Sequence, residues 1–300
     1  MSSAQALSVP CDGADLSILH AIPYHLFANG SSVPPLLFGI INLKDIQVRF
    51  WIHISLVIFG FLLAVASFLV QLCWPIPYGK HAEGYVRCPV PARIFYMIAH
   101  LVPGFVFFTL TYFLEGVYFR NPFNITLYVL FVVHYLTKGL VMPIVSRYSN
   151  SRVSLWIPVA ILVTNTYYHY INAEFIGSAY YCEKYYYDPR FIIGLSLFVV
   201  GFAIGRIADI QLIFLRKSRK SKDYMIPKGL LFSLISCPNY FGEGLEWFGW
   251  AVMTWSLSGL VWWMFVESTL VTRARHNHNW YRTEFSNYPL HRKALIPFIY

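Results

Sequence analysis

Ser236-Cys-Pro-Asn-Tyr-Phe-Gly-Glu-Gly-Leu-Glu-Trp247 lies inside a long apolar stretch, yet it carries Asn239, Glu243 and Glu246. Spacings of four and three put these three residues on one helix face. Carboxylates at membrane depth are costly, and where they occur they usually face a polar cavity that marks function. The stretch therefore predicts a membrane helix with one working polar face. Ser236 is positioned to cap this helix, and Pro238 suits its first turn. Asn239 would then stand near a helix N-terminus, a favourable place to meet a polar or anionic ligand.

Composition extends this reading to the whole chain. Of 300 residues, 57% are hydrophobic and only 12% charged, against about 25% charged in a soluble domain. Mean hydropathy is +0.52. These values define an all-α, polytopic integral membrane protein. The 19% aromatic content suits interfacial belts and pockets for flat apolar ligands. Five cysteines without a CxxC exclude a disulfide framework and a zinc cluster. The net charge of +9 sits in clusters between apolar segments. That pattern fits membrane topology and an anionic ligand better than nucleic acid.

Residues 1–50 mix prolines, small polar residues and short apolar runs, without the basic start and cleavage site of a signal peptide. They read as a luminal tail or cap. Leu36–Ile41 is too short to span. Residues 51–300 form one membrane domain with about seven transmembrane helices, near 53–73, 94–114, 124–145, 153–175, 191–215, 230–255 and 257–272. The last two are a hairpin broken softly at Ser256–Gly259. With seven helices, every strongly basic connection falls on one side: Lys80, Arg87 and Arg93; Arg147 and Arg152; Arg216 to Lys228; and the tail from Arg273. The positive-inside rule makes that side cytosolic, together with the C-terminus. The sequon Asn29-Gly-Ser31 is then luminal.

Other polar residues stand out. Gly201, Gly205 and Asp209 are four apart, and Arg216 lies two turns beyond Asp209. Glycines permit close helix packing, and Asp209 with Arg216 would line a cavity open to the cytosol. The plain structural alternative is an ion pair between Arg206 and Asp209. Tyr135 and Lys138 share a face beside His134, although Lys138 could instead snorkel to the surface. His100 lies mid-segment. The tail interleaves Arg273, Arg275, His276, His278, Trp280, Tyr281 and Arg282. It suits anionic lipid, or a phosphate-binding rim with aromatics to stack on a ring. His276-x-His278 lacks a third ligand, so no metal is expected. A large anionic ligand such as a dinucleotide fits these features. There is no G-x-G-x-x-G after a strand, so a Rossmann domain is not expected.

Tyr224-Met-Ile-Pro-Lys-Gly-Leu-Leu-Phe232, Ser236-Cys-Pro-Asn-Tyr-Phe-Gly-Glu243 with Glu246-Trp247, and the run from Arg273 through Tyr288-Pro to Arg292-Lys-Ala-Leu-Ile-Pro-Phe298 resemble the steroid 5α-reductase family. Tyr78-Gly-Lys-His81, Pro91-Ala-Arg93 and His134-Tyr135 resemble its steroid-acting branch. The similarity covers about 78–300 and is densest in 224–300. The resemblance implies a seven-helix reductase of the endoplasmic reticulum membrane. It would use NADPH to reduce a carbon–carbon double bond conjugated to a carbonyl, such as the Δ4 bond of a 3-oxo-steroid. It implies cofactor-binding roles for Lys80, Asp209, Arg216, Tyr224, Asn239, Glu243, Arg273 and Tyr281. It also makes Tyr135 the donor to the substrate carbonyl.

The chain departs from the family pattern at several positions. His100, in His100-Leu-Val-Pro103, stands where the steroid branch has glutamate before Leu-Pro. Gly205, Met225, Asn277 and Lys138 replace asparagine, arginine, histidine and arginine respectively. His100 becomes the expected second donor or proton relay, since a histidine can serve near neutral pH. A trans-2-enoyl-CoA and a polyprenal are alternative substrates. Two other classes stay open: a membrane isoprenylcysteine-type methyltransferase using S-adenosylmethionine, and a non-catalytic sterol- or lipid-binding protein.

Overall fold

The computed structural model describes residues 46–74, 81, 87–146, 152–218 and 224–300. Seven long helices occur among them: α1 (Ile46–Cys73), α2 (Ala92–Glu115), α3 (Pro122–Val145), α4 (Trp156–Ser178), α5 (Pro189–Ser218), α6 (Pro238–Thr254) and α7 (Leu257–Glu284). Four stretches are long and apolar enough to cross a membrane: Phe50–Cys73, Ala92–Glu115, Pro122–Val145 and Pro189–Arg216. The sequon, Lys80, Arg147 and most of the basic stretch after Arg216 lie outside the described residues.

Several boundaries differ from the sequence reading. Residues 230–237 are not helical throughout. Gly229 and Leu230 both take positive φ, 86° and 46°, and only a short 3-10 turn, Leu230–Ser233, follows. The α6 helix starts at Pro238, whose missing N–H and fixed φ suit a first position. The last helix runs past 272 to Glu284, because the basic residues there form good helix and no Gly or Pro interrupts them. Before α4, Arg152–Ser154 pairs antiparallel with Pro89–Pro91, so the helix starts later than expected. This small ribbon is an addition to the all-helical expectation, and it uses prolines that a helix interior would reject.

The α6–α7 hairpin turns at the expected place. Trp255 ends α6 in the left-handed region, and Ser256 caps α7 by accepting the Gly259 N–H at 2.9 Å. The closest packing is between α5 and α6. A Cβ on Gly242 would collide with the backbone of Gly205, and one on Gly201 with the backbone of Glu246. These glycines let the two backbones touch. Polar side chains join α1 to α7: Gln71 donates to Thr269 at 3.4 Å, Ser268 donates to Ser67 at 3.2 Å, and Thr272 donates to Gln71 at 3.3 Å.

Two helices change pitch within the core. In α2, Val102–Phe107 is π-helical, and in α3 Thr137–Val141 is too. Such segments hold an extra residue in one turn and often occur at functional sites. Here they face the same region. Gly104 lies flat against the Tyr135 ring, and Gly139 packs on His100 and Leu101.

Candidate functional site

The polar face of α6 divides its partners between α3 and α5. Glu243 forms an ion pair with Lys138 of α3. Glu246, fully buried, meets His134 Nδ1 at 2.5 Å. Asn239 donates through Nδ2 to Asp209 of α5 at 3.1 Å, and Asp209 also pairs with Arg206 at 3.4 Å. Asp209 thus has the ion pair with Arg206 that was its plain structural alternative, and it also accepts from Asn239 of the α6 polar face. Lys138 does not snorkel; its ammonium turns inward to Glu243. The face is right as a face, but Glu246 is occupied by His134 and braces α6 against α3.

One expected contact is corrected. Ser236 does not cap α6; the N-cap is Cys237, which makes no side-chain bond. The C-terminal tail takes the Ser236 hydroxyl instead. Ser236 Oγ lies 2.7 Å from Tyr288 Oη and 2.6 Å from His278 Nδ1. The tail is held alongside by backbone bonds, Lys293 N–H to Leu234 and Ser236 N–H to Lys293, at 2.9 and 2.8 Å.

Tyr135 is 2% exposed, with its ring among Phe131, His134 and Trp247. Its hydroxyl meets His169 Nε2 of α4 at 2.7 Å. His100 is half-buried, with Nδ1 facing Asn165 Nδ2 at 3.3 Å. Neither α4 residue was singled out from sequence. Both belong to Asn165–Ser178, most of which is buried. The available signal was a run of polar side chains, Asn165, His169, Asn172 and Glu174, in a helix with no polar face to solvent.

Towards the end of α7, aromatic and cationic side chains gather into a rim. Tyr281 stacks on Tyr288 with ring centres 5.3 Å apart and planes within 8°. Arg216 and Arg292 both bring charge to the Tyr281 hydroxyl. Burial pushes that hydroxyl above the ordinary phenol range, so it stays a hydrogen-bond donor. Arg216 is exposed, as is Tyr224, whose ring meets Trp280 edge-on at 5.1 Å. Arg273 lies on α7 near enough to bear on His100. Asn277, one of the departures from the family pattern, has its Oδ1 3.1 Å from His81 Nε2. Lys80 itself lies outside the described residues.

His278 gives this rim a pH dependence. Burial, then Arg282 and Lys293, hold its imidazole below the usual 6.5. The unfolded chain takes up this proton first, so the lock on the tail is complete above about pH 6.5 and weakens as pH falls below it. Protease resistance of the C-terminal residues is expected to drop as pH falls below about 6.5. His278→Gln should flatten that response.

The donor set suits a dinucleotide. Nε and Nη1 of buried Arg206 and Oε2 of buried Glu246 have no hydrogen-bond partner among the described residues. Buried polar atoms are normally paired. A ligand with both anionic oxygens and an amide group would match cation and carboxylate together.

The structure is that of a helical membrane protein with polar side chains gathered between α3, α5 and α6 and with basic and aromatic ones along the end of α7. The profile of the family described as 3-oxo-5-alpha-steroid 4-dehydrogenase matches residues 156–300. The rat 3-oxo-5-alpha-steroid 4-dehydrogenase 1 is 36% identical over 225 residues, covering 74% of this chain and 86% of the relative. The steroid 5-alpha-reductase DET2 of Arabidopsis thaliana is 34% identical over 235 residues, covering 75% and 87%. The human 3-oxo-5-alpha-steroid 4-dehydrogenase 1 is 34% identical over 227 residues, covering 74% and 86%. The chain belongs to the steroid 5α-reductase family.

Proposed function

We propose that this protein uses NADPH to reduce the Δ4 carbon–carbon double bond of a 3-oxo-steroid. The observation that carries the reading is the placement of Tyr135. Its side chain is buried among aromatic rings, on the same helix as Lys138, which pairs with Glu243 of the α6 polar face. NADPH, when bound, supplies the hydride that the β-carbon of the enone accepts. Asn239 and Glu243 would hold the nicotinamide amide, and Asp209 would fix Asn239. Arg216, Tyr224, Arg273 and Tyr281, with Lys80, would hold the phosphates and the adenosine end. As hydride adds, negative charge grows on the carbonyl oxygen. Tyr135 donates to it in a site where water is excluded and the bond is correspondingly strong. His100 is the proposed second donor.

The same reading makes residues 51–300 one membrane reductase domain with 1–50 as a luminal cap. It gives seven passes, a cytosolic C-terminus and a place in the endoplasmic reticulum membrane. The seven long helices and the basic side of the bundle support it. Cysteine labelling from each side of sealed vesicles tests the topology.

Product analysis tests the activity. Purified protein in lipid nanodiscs would be incubated with NADPH and, separately, a 3-oxo-Δ4 steroid, a trans-2-enoyl-CoA and a polyprenal. The steroid is expected to gain two hydrogens with NADPH consumed one for one. Reduction of only the enoyl-CoA or the polyprenal would move the substrate within the family. Retention of S-adenosylmethionine in place of NADPH would discard the reductase reading.

A further inference from the structure

Arg206 has no place among the cofactor contacts assigned above, yet its charge is buried, with the residue 8% exposed. Its Nη2 pairs with Asp209 Oδ2, one turn on, at 3.4 Å. The Phe202 ring, one turn back, lies 5.7 Å from Cζ, and the same ring meets that of His134 at 6.5 Å. His134 is the partner of Glu246. The guanidinium is thus directed between α3 and α6, and its charge acts on Glu243 and Glu246 as well as on Asp209. Nε and Nη1 have no hydrogen-bond partner among the described residues. Buried N–H groups of a cation are costly unless something accepts from them.

The atoms already committed say what that acceptor is. An ionised Asp209 only accepts, so Asn239 turns its Nδ2 to it, at 3.1 Å, and leaves Oδ1 for a ligand. Glu243, paired with Lys138, offers oxygen only. These two residues match the NH2 half of a carboxamide. The carbonyl half calls for a donor. Gly205 faces the same wall, with the Asn239 carbonyl oxygen 3.5 Å from where a Cβ would stand, and as glycine it supplies none. Arg206, its neighbour, brings unspent N–H groups. Phosphate is the competing acceptor for an arginine. The rim residue Arg216 stands ten residues further along α5, about 15 Å. A dinucleotide with its phosphates at that rim meets Arg206 with its nicotinamide end.

We infer that Arg206 is a cofactor-binding residue: it donates to the carboxamide oxygen of the nicotinamide, while Asn239 and Glu243 accept from the amide nitrogen. The inference rests on the proposed use of NADPH and adds the residue that fixes the rotation of the amide. With its oxygen read from α5 and its nitrogen from α6, the ring has one orientation and presents one face to the substrate.

Three reduced cofactors test this by equilibrium binding to the protein in nanodiscs. They are NADPH, its thionicotinamide analogue, in which a weakly accepting sulfur replaces the oxygen, and its 3-acetylpyridine analogue, in which a methyl replaces the NH2. Wild-type protein is expected to bind the thio analogue about 10-fold or more weakly than NADPH, the loss of one charge-assisted hydrogen bond. Arg206→Met should weaken NADPH by a similar factor and shrink its advantage over the thio analogue to within about threefold. The preference for NADPH over the acetylpyridine analogue, set by Asn239 and Glu243, should stay as in wild type. Arg206→Met also strands Asp209. The comparison is therefore repeated between Asp209→Asn and Asp209→Asn/Arg206→Met, where no carboxylate is left unpaired.

A residue that only supports the fold would weaken all three cofactors by one factor and leave both ratios unchanged. That result would overturn the contact. So would a thio analogue bound by wild type within about threefold of NADPH. If neither Arg206 variant folds, this wild-type ratio decides alone. Wild-type protein that binds none of the three overturns the reductase reading and the Arg206 role together. Steroid reduction by wild type, with ratios unchanged in the variants, overturns the Arg206 role alone.

Discussion

Tyr135→Phe is expected to lower kcat by about 10²- to 10³-fold, the usual cost of removing one donor to a developing oxyanion. The change deletes one oxygen and leaves the ring where it is, packed against Gly104, Phe131 and Trp247. Substrate shape recognition should therefore survive, and NADPH affinity should stay within about twofold, because none of the proposed cofactor contacts is touched. The variant also leaves His169 Nε2 without its partner at 2.7 Å, which costs about 1–3 kcal/mol of stability in a buried setting. The protein should melt earlier and still fold. Single-turnover rates with saturating NADPH measure the chemical step. A rate within threefold of wild type would remove Tyr135 from the reaction.

The second large effect concerns the ion pair between Lys138 and Glu243. Glu243→Leu strands an ammonium in the bundle, where its side chain is 25% exposed. A fully buried pair broken this way costs about 3–5 kcal/mol, and the residual exposure reduces this to about 2–3. Lys138→Met strands the carboxylate and should cost a similar amount. Removing both charges takes away the stranded group as well as the attraction, so Lys138→Met/Glu243→Leu is expected to recover most of the lost stability. NADPH affinity should behave differently. It should fall at least tenfold in Glu243→Leu and remain low in the double variant, since Glu243 is the proposed partner of the nicotinamide amide. Melting temperature and NADPH titration on the same three variants separate the two roles. Recovery of both together would reduce Glu243 to a structural counter-ion.

Sequence carried the membrane class, the helix hairpin and the polar face of α6, because each depends on local spacing. Gly201, Gly205 and Asp209 were legible as one face for the same reason, and α6 packs on them. Pairing was not legible. Asn239, Glu243 and Glu246 share a face, but their partners come from α5 and α3, and no spacing within α6 says which of them is taken by a neighbour. Ser236 looked like a cap because it stands before a Pro-led helix; the competing partners, His278 and Tyr288, lie more than forty residues away. His169 was missed although Asn165, His169 and Asn172 recur at helical spacing, because α4 is buried on all sides over most of Asn165–Ser178 and spacing alone does not single out one polar residue there. The end of α6 nearest the tail was misjudged because apolar residues 230–237 look helical by hydropathy, whereas positive φ at Gly229 and Leu230 sends the chain elsewhere.

The two π-helical segments have a consequence for how such a site can change. A π-helical turn absorbs its extra residue by widening, so the α-helical turns on either side keep their angular phase. Deleting a single residue from Val102–Phe107 would close that turn to regular pitch and leave the flanking faces of α2 aligned. The same deletion in a regular stretch of α2 would turn one part of the helix against the other by about 100°. The wide turn is thus the place in this wall where chain length can change by one residue while His100 and the residues beyond Phe107 keep their facing.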